Sequence, residues 1–98
     1  MNDYGMVSVV IPTYKRIEKL FRAIDSVLEQ TYKNFELIII DNNININIHQ
    51  VIKLILQNKY YQYKIKHIFI NSNIEAAQAR NKGIEIAKGS FVAFLDDD

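Results

Sequence analysis

The chain has 98 residues, of which 49% are hydrophobic and 23% charged, as expected for one small globular domain. Its net charge of +1 excludes the strongly basic surface that nucleic acid or an anionic membrane would require. The absence of cysteine excludes disulfides and thiolate sites, and no apolar run approaches the roughly 18 residues of a membrane span. We therefore expect a single soluble domain over residues 1–98. Its expected location is the cytoplasm, with a peripheral position at the inner face of the membrane left open.

The first half of the chain predicts two strands, each followed by a helix. Residues 7–11 form a β-branched run that we expect Pro12 to close, because proline lacks a backbone donor. Apolar residues then recur with helical spacing between positions 20 and 28. A second apolar run at 36–40 ends in polar residues, and apolar positions at 51–56 predict the second helix.

The second half predicts a third strand at 65–70, a helix at 75–87 that Gly89 closes, and a fourth strand at 91–95. Between the second strand and second helix, asparagine and isoleucine alternate at 43–48. An extra strand would explain this alternation, but its position favours a loop that runs into the helix.

The predicted order is β-α-β-α-β-α-β. Strands that are apolar throughout, rather than alternating, are typical of strands buried on both faces. With right-handed crossovers they give an α/β fold, a Rossmann-like open parallel sheet covered by helices.

Polar residues follow each predicted strand, at the sheet edge where open α/β folds bind ligands. Tyr14 is placed to pack on a base or sugar, and Asp41 to accept from a base N–H. Asp96 and Asp98 point to the same side of an extended chain, where they are suited to a ribose hydroxyl and a metal ion. Because the chain has no glycine-rich phosphate loop, a bound diphosphate would need a cation to neutralise it.

Four segments resemble family 2 glycosyltransferases of the GT-A fold. They are VSVVIPTY at 7–14, FELIIID at 35–41, ARNKGI at 79–84 and AKGSFVAFLDDD at 87–98. The resemblance implies the N-terminal half of a GT-A fold, with inverting transfer from a nucleotide-diphosphate sugar, often a UDP-sugar, and Mn²⁺ or Mg²⁺ as cofactor. It also implies a role in glycan or cell-surface polysaccharide synthesis, with an unknown sugar or lipid-linked acceptor.

The resemblance assigns roles by position to a set of substrate-binding residues: Pro12, Thr13, Tyr14, Asp41, Arg80, Asn81, Asp96 and Asp97. Within that set Asp41 matches the family's base-reading aspartate. The terminal triplet matches its Asp-X-Asp motif, which makes Asp96 and Asp98 the predicted metal ligands. The family's acceptor-binding half and general base lie beyond its third aspartate, so we expect the 98 residues alone to be inactive and assign them no catalytic residue.

The chain departs from the family pattern in two places. The second strand ends in Asp41-Asn42-Asn43, without the usual second acid and glycine, and Glu75 replaces a glycine that the family often has in the third loop. Arg80 has a second interpretation, as a surface cation paired with Glu75 or Glu85.

Two rival hypotheses remain at this point. A receiver-type signalling module would bind Mg²⁺ through carboxylates at its strand ends, but it would need an acidic pair after the first strand and a lysine after the last. A truncated product or inert scaffold is the other. Separately, an exposed apolar strand edge is expected to allow some self-association of the fragment. His49 and His67 have no partner at metal-ligand spacing, so we expect both to be structural or solvated. The tyrosines near position 61 are expected to pack on the surface and core.

Overall fold

A computed structural model of the chain describes residues 5–43, 45–70 and 74–96. Strands and helices alternate in the predicted order throughout. They are β1 (Val7–Thr13), α1 (Ile17–Leu28), β2 (Phe35–Asp41), α2 (Ile46–Lys59), β3 (Ile65–Phe69), α3 (Ala76–Ile86) and β4 (Phe91–Phe94). The predicted fold class is confirmed.

The four strands form one parallel sheet in the order β3-β2-β1-β4. The chain steps outward from β1 to β3 and then returns across the sheet to place β4 on the other side of β1. The direction of connection therefore reverses between β1 and β4. Open α/β sheets bind ligands beyond the carboxyl ends of the strands at such a reversal.

Both faces of the central strands β1 and β2 are covered, as their uniformly apolar sequences predict. The same prediction is wrong for β4, whose side chains are exposed. On one face, odd-numbered strand residues such as Ile11 and Ile39 pack with Leu20 and Ile24 of α1 and Ile52 of α2. On the other face, even-numbered strand residues pack under α3 in a smaller cluster that comprises Val10, Ile38, Ile40 and Ala79. Helix α3 lies very close to β1: a Cβ atom added at Gly83 would come within 2.4 Å of Val10 Cγ1. Glycine is therefore required there by close packing.

The prediction that Pro12 closes β1 is wrong by two residues, because β1 continues to Thr13. The backbone N–H and C=O groups of odd-numbered residues in β1 point towards β2, where the Thr13 carbonyl accepts from the Asn42 N–H at 2.9 Å. Those of even-numbered residues point towards β4, where the Val10 carbonyl accepts from the Leu95 N–H at 3.0 Å. Pro12 is even-numbered, and β4 pairs with β1 only as far as Val10. The missing N–H of Pro12 therefore removes no bond from the sheet.

Helix α2 begins at Ile46, five residues before the apolar run that predicted it. The Asn45 side chain accepts a hydrogen bond from the Asn47 backbone N–H at 2.8 Å, as an N-cap residue does. The alternation of asparagine and isoleucine over 45–48 is therefore a helix cap and a first turn. The preferred interpretation over an extra strand is confirmed for these residues; residue 44 lies outside the described ranges.

A buried polar network fixes the amino-terminal end of the sheet to the segment that leads into β4. The Glu36 carboxylate, only 3% exposed, accepts from the Ser8 hydroxyl at 2.6 Å and from the Lys88 backbone N–H at 2.8 Å. Its other oxygen lies 3.1 Å from the Lys66 ammonium. The Gly89 N–H donates to the Ser8 hydroxyl oxygen at 2.8 Å. These contacts set where β4 starts.

The side chains of β4 are exposed, including Phe91, Val92 and Phe94. The exposed apolar strand edge expected from the sequence is therefore present, and self-association through it remains a prediction. None of the helices in the described part of the chain has the length and apolar character needed to cross a bilayer.

Candidate functional site at the carboxyl edge of the sheet

The carboxyl ends of β1 and β4 bring two predicted site residues to the reversal point, and α3 supplies a third. Tyr14 follows β1 and is 40% exposed, and the Lys15 ammonium lies 5.1 Å from the centroid of its ring. Asp96 follows β4, with a side chain that is 64% exposed. Arg80 projects from α3 so that its Nη2 donates to Asp96 Oδ1 at 3.1 Å. An aromatic ring, a carboxylate and a guanidinium therefore border this part of the edge.

The Arg80 contact differs from the surface pairing considered from the sequence, since its partner is Asp96 rather than Glu75 or Glu85. Both side chains are substantially exposed, so the ion pair adds little to stability. Its consequence is positional, because it holds a planar cationic donor beside the acidic strand end. Guanidinium groups bind phosphate and carboxylate oxygens through such donors.

The other predicted site residues do not all lie at this exposed part of the edge. Thr13 is buried and paired in register with Asp41, and the neighbouring Pro12 also lies within β1, so both belong to the sheet rather than to its exposed rim. Asn81 is exposed on α3. The remaining acidic residues, Asp97 and Asp98, lie outside the described residues, as does the predicted polar loop at 71–73. Their roles remain predictions.

Asp41 is fully buried, and the protein itself supplies all of the contacts described for its carboxylate. Oδ2 lies 2.7 Å from His67 Nε2 on β3 and 3.1 Å from His49 Nδ1 in the first turns of α2. Oδ1 accepts from both the backbone N–H and the side-chain amide of Asn43, at 3.1 and 2.7 Å. We call Asp41, His49 and His67 the Asp-His cluster.

Burial by itself would raise the pKa of the Asp41 carboxyl. The hydrogen bonds from His67, Asn43 and His49 outweigh burial and hold the pKa below its ordinary value. Asp41 is therefore an internal anion at neutral pH, engaged on both oxygens. A base contact by Asp41, as the resemblance implies, remains a prediction and would require one of these partners to give way.

The Asp-His cluster was missed in the sequence because neither histidine has a partner at a recognisable spacing. The fold provides the same partner for both. Parallel pairing places His67 opposite Ile39, and Ile39 lies two residues before Asp41, so the side chains are on the same face of the sheet. The short loop after β2 brings the first turn of α2, with His49, back over this face. A search across predicted parallel strand ends, rather than along the chain, would have found the Asp41–His67 pair.

The two asparagines that replace the family's usual acid and glycine tie neighbouring loops together. The Asn43 side chain, 1% exposed, donates to Asp41 and accepts from the Lys15 backbone N–H at 2.5 Å. That bond accompanies a left-handed backbone at Lys15, where φ is 57°. The Asn42 amide donates to the Ile74 carbonyl at 2.8 Å, and its buried Oδ1 has no hydrogen-bond partner within the described ranges. The two asparagines therefore connect the loop after β2 to the segment after β1 and to the segment before α3.

A parallel sheet of order 3-2-1-4, with polar side chains where its connections reverse, is an open α/β fold of the doubly wound type. The family model for glycosyl transferase family 2 matches residues 8–98, which is almost the whole chain. The chain therefore belongs to glycosyl transferase family 2. This membership favours a transferase over the receiver-type alternative.

Relatives and solved structures agree with this assignment. The chain is 38% identical over 93 residues to the Escherichia coli UDP-Glc:alpha-D-GlcNAc-diphosphoundecaprenol beta-1,3-glucosyltransferase WfaP, covering 95% of this chain and 35% of that protein. S. aureus TarS 1-349 in complex with UDP-GlcNAc is similar with a TM-score of 0.75 and 25% identity, over 94% of this chain and 26% of that one.

A third likeness concerns the fold alone. The mannosyltransferase PcManGT from Pyrobaculum calidifontis, in complex with GDP-Man and Mn²⁺, has a TM-score of 0.81 at 20% identity, over 94% of this chain and 27% of that one. The GT-A fold expected from the resemblance is thus confirmed. The chain spans from 13% to 36% of the length of curated relatives that it matches.

Proposed function

We propose that this domain binds the nucleotide-diphosphate sugar donor of a glycosyltransferase, with a UDP-sugar as the first choice. The observation that carries the proposal is the contact between Arg80 and Asp96 after β4, next to the end of β1 that Tyr14 follows, where the sheet connections reverse. Family membership supplies the class of reaction. The UDP preference is supported by the UDP-Glc in the name of WfaP and by the UDP-GlcNAc bound to TarS.

Each of the three side chains suits one part of such a donor. The half-exposed ring of Tyr14 offers a flat face to a base or ribose. Asp96 has an exposed carboxylate able to accept from ribose or sugar hydroxyls. Arg80, next to it, is able to donate to diphosphate oxygens by exchanging its present partner for the ligand. The proposed site is therefore mainly polar and open to solvent before the donor binds.

The residues present fit a hard divalent cation at the end of β4. Asp96 exposes carboxylate oxygen, and two further aspartates follow it in the chain. Oxygen donors of this kind suit Mg²⁺ and Mn²⁺. We propose that Asp96 and Asp98 hold the ion, which when bound supplies positive charge to the diphosphate leaving group. The Mn²⁺ in the PcManGT complex is consistent with that choice.

The acceptor is proposed to be a growing glycan or a lipid-linked sugar, with transfer on the cytoplasmic side and inversion at the sugar carbon. Support for the lipid-linked alternative comes from WfaP, whose name includes a diphosphoundecaprenol sugar. Within the 98 residues we assign the domain only the holding and orienting of the donor, because no described side chain of the site is a candidate general base for an acceptor hydroxyl.

Titration calorimetry with UDP, in the presence and absence of Mn²⁺, tests the proposal. We expect UDP to bind more tightly with Mn²⁺ than without it, and we expect Asp98→Asn to remove most of that difference. Glu85→Gln is the matched control, since Glu85 is an exposed acid whose nearest cation, Lys82, is 3.8 Å away. GDP and ADP measure base selectivity. Equal UDP affinity in the parent and Asp98→Asn, with or without Mn²⁺, would contradict the assigned metal role.

A further inference from the structure

We propose that the Asp-His cluster is a binding site for a transition-metal dication of the Zn²⁺ type, distinct from the Mn²⁺ or Mg²⁺ site proposed at the end of β4. Asp41, His49 and His67 each offer one ligand atom, and these atoms all lie within 4.8 Å of one another. The cluster lies at the carboxyl end of β2 and on the adjacent β3 and α2, whereas Asp96 follows β4 on the other side of β1. The two metal sites therefore share no ligand. Asp41 is also the predicted base-reading residue, so an ion at the cluster would compete with that contact.

The donor set selects the kind of ion. Two imidazole nitrogens and one carboxylate oxygen suit Zn²⁺ and its neighbours Co²⁺, Ni²⁺ and Cu²⁺, whereas Mg²⁺ and Ca²⁺ prefer oxygen throughout. The triplet at the end of the chain offers only oxygen. Each site should thus take up a different class of metal from a mixture.

The geometry requires only small adjustments. Metal–ligand bonds of about 2.1 Å at tetrahedral angles separate neighbouring donor atoms by about 3.4 Å. The observed distances from Asp41 Oδ2 are 3.1 Å to His49 Nδ1 and 2.7 Å to His67 Nε2. These two distances must lengthen by about 0.3 and 0.7 Å, and the two histidine nitrogens, which lie within 4.8 Å of each other, must also settle at about 3.4 Å.

The ligands are already held in place by their surroundings. Asp41 Oδ1 accepts two hydrogen bonds from Asn43, which leaves Oδ2 directed at the two rings. The His49 ring lies between those of His67 and Phe69, with centroid separations of 4.5 and 4.1 Å. Outer contacts of this type orient metal ligands and contribute to affinity.

A route for the ion exists on the side of the histidines. Both rings retain some exposure, 18% for His49 and 11% for His67, and both line a cavity of about 450 Å³ that also borders Tyr60 and Tyr63. Three protein ligands leave a fourth position for water or a small ligand from this cavity. A bound ion would join β2, α2 and β3 at one point and neutralise a buried anion.

The test uses the 98-residue protein without a histidine tag, stripped of metal by a chelator. We expect Zn²⁺ to bind with one equivalent by calorimetry, and Co²⁺ to give visible absorption bands of a low-symmetry site. Because the chain has only two histidines and no cysteine, two imidazole spin systems report the ligands directly by NMR. Both should shift on addition of Zn²⁺.

His49→Gln and His67→Gln should each weaken Zn²⁺ binding at least about tenfold, since even outer-contact changes cost about 10- to 100-fold. Asp98→Asn should retain the parent affinity for Zn²⁺, and Glu85→Gln serves as the surface control. Circular dichroism checks that each variant is folded, and if one histidine variant unfolds the other decides. Failure of Zn²⁺ to bind the parent protein, unshifted imidazole signals, or unchanged affinity in a folded histidine variant would overturn the proposal. UDP binding is measured separately, so either proposal can fail alone.

Discussion

Replacement of Glu36 by glutamine isolates the value of one buried charge, because the shape of the side chain is retained. The carboxylate accepts from Ser8 and Lys88 and lies beside Lys66. In Glu36→Gln the amide nitrogen is best placed towards Lys66, whose partly exposed ammonium can turn into solvent. The bonds from Ser8 and Lys88 then remain, but to a neutral acceptor.

The expected loss is about 1–2 kcal/mol in the free energy of unfolding. Hydrogen bonds to a charged acceptor contribute about 1.5–3 kcal/mol each and neutral ones about 1 kcal/mol, while removal of a buried charge returns part of its desolvation cost. The sign follows from the pKa of Glu36. Burial would raise this pKa, but hydrogen bonds from Ser8, Lys88 and Lys66 lower it below the ordinary value of 4.5. The folded protein therefore prefers the ionised form.

Urea denaturation followed by circular dichroism, as a function of pH, measures this contribution. A lowered folded-state pKa means that the stabilisation is complete above about pH 4.5 and is lost as the pH falls through the folded-state value. The gap between the parent and Glu36→Gln should thus be largest near neutrality and close in acid. Asp41 also titrates in acid, but it does so in both proteins and cancels in the difference.

Glu85→Gln is the control for loss of an acidic charge at the surface, and its effect should stay within about 0.5 kcal/mol. The reasoning is refuted if Glu36→Gln matches the parent at neutral pH, or if the gap between them does not change as the pH falls below 4.5. Either result would mean that the folded state gains nothing from ionised Glu36.

Two further predictions concern packing and alkaline pH. Gly83→Ala should destabilise the protein by about 1–3 kcal/mol, because the added Cβ would lie 2.4 Å from Val10 Cγ1. This cost should exceed the gain from the better helix propensity of alanine. A thermal melt that shows stabilisation would contradict the packing of α3. Tyr60→Phe should cost about 1 kcal/mol through loss of the 2.7 Å bond from its hydroxyl to Asp25. Burial and Asp25 raise the pKa of Tyr60 to about 12, so the parent should lose more stability than Tyr60→Phe between about pH 10 and 12. Equal losses in the two proteins over this range would refute the prediction.

The fold was predictable because the strongest local signals in the chain agree with one another. Unbroken apolar runs predict strands buried on both faces, which holds for β1 and β2 but not for the exposed β4. The intervening helical periodicity predicts crossovers, and therefore parallel strands. The errors fall at element ends. The sequence predicts that β1 ends before Pro12, because the missing N–H of proline removes a hydrogen bond at most strand positions. In this sheet its N atom faces the side on which β4 has already ended its pairing.

The site was predictable only where it is formed by the ends of strands. Tyr14 is the first residue after β1 and Asp96 the second after β4, so their placement at one rim needs only the topology. Contacts between residues far apart in sequence could not be predicted. Arg80 on α3 donates to Asp96 after β4, and His49 and His67 both contact the Asp41 carboxylate. No periodicity along the chain encodes such pairs, because the register between parallel strands is set by packing of the whole sheet.

The carboxyl edge divides into two parts with different physical properties. Beyond β2, Asp41 and Asn43 are buried and have hydrogen-bond partners within the protein, so a nucleotide would have to displace existing bonds there. Beyond β1 and β4, Tyr14 and Asp96 are exposed, and the contacts that their side chains make with described residues are weak surface contacts. Displacing a buried, charge-assisted bond costs more than displacing an exposed one. Donor affinity should therefore depend chiefly on the exposed part, and Tyr14→Leu, which keeps an apolar side chain, should weaken UDP binding by calorimetry while it changes the free energy of unfolding by less than about 1 kcal/mol; unchanged UDP affinity would refute this.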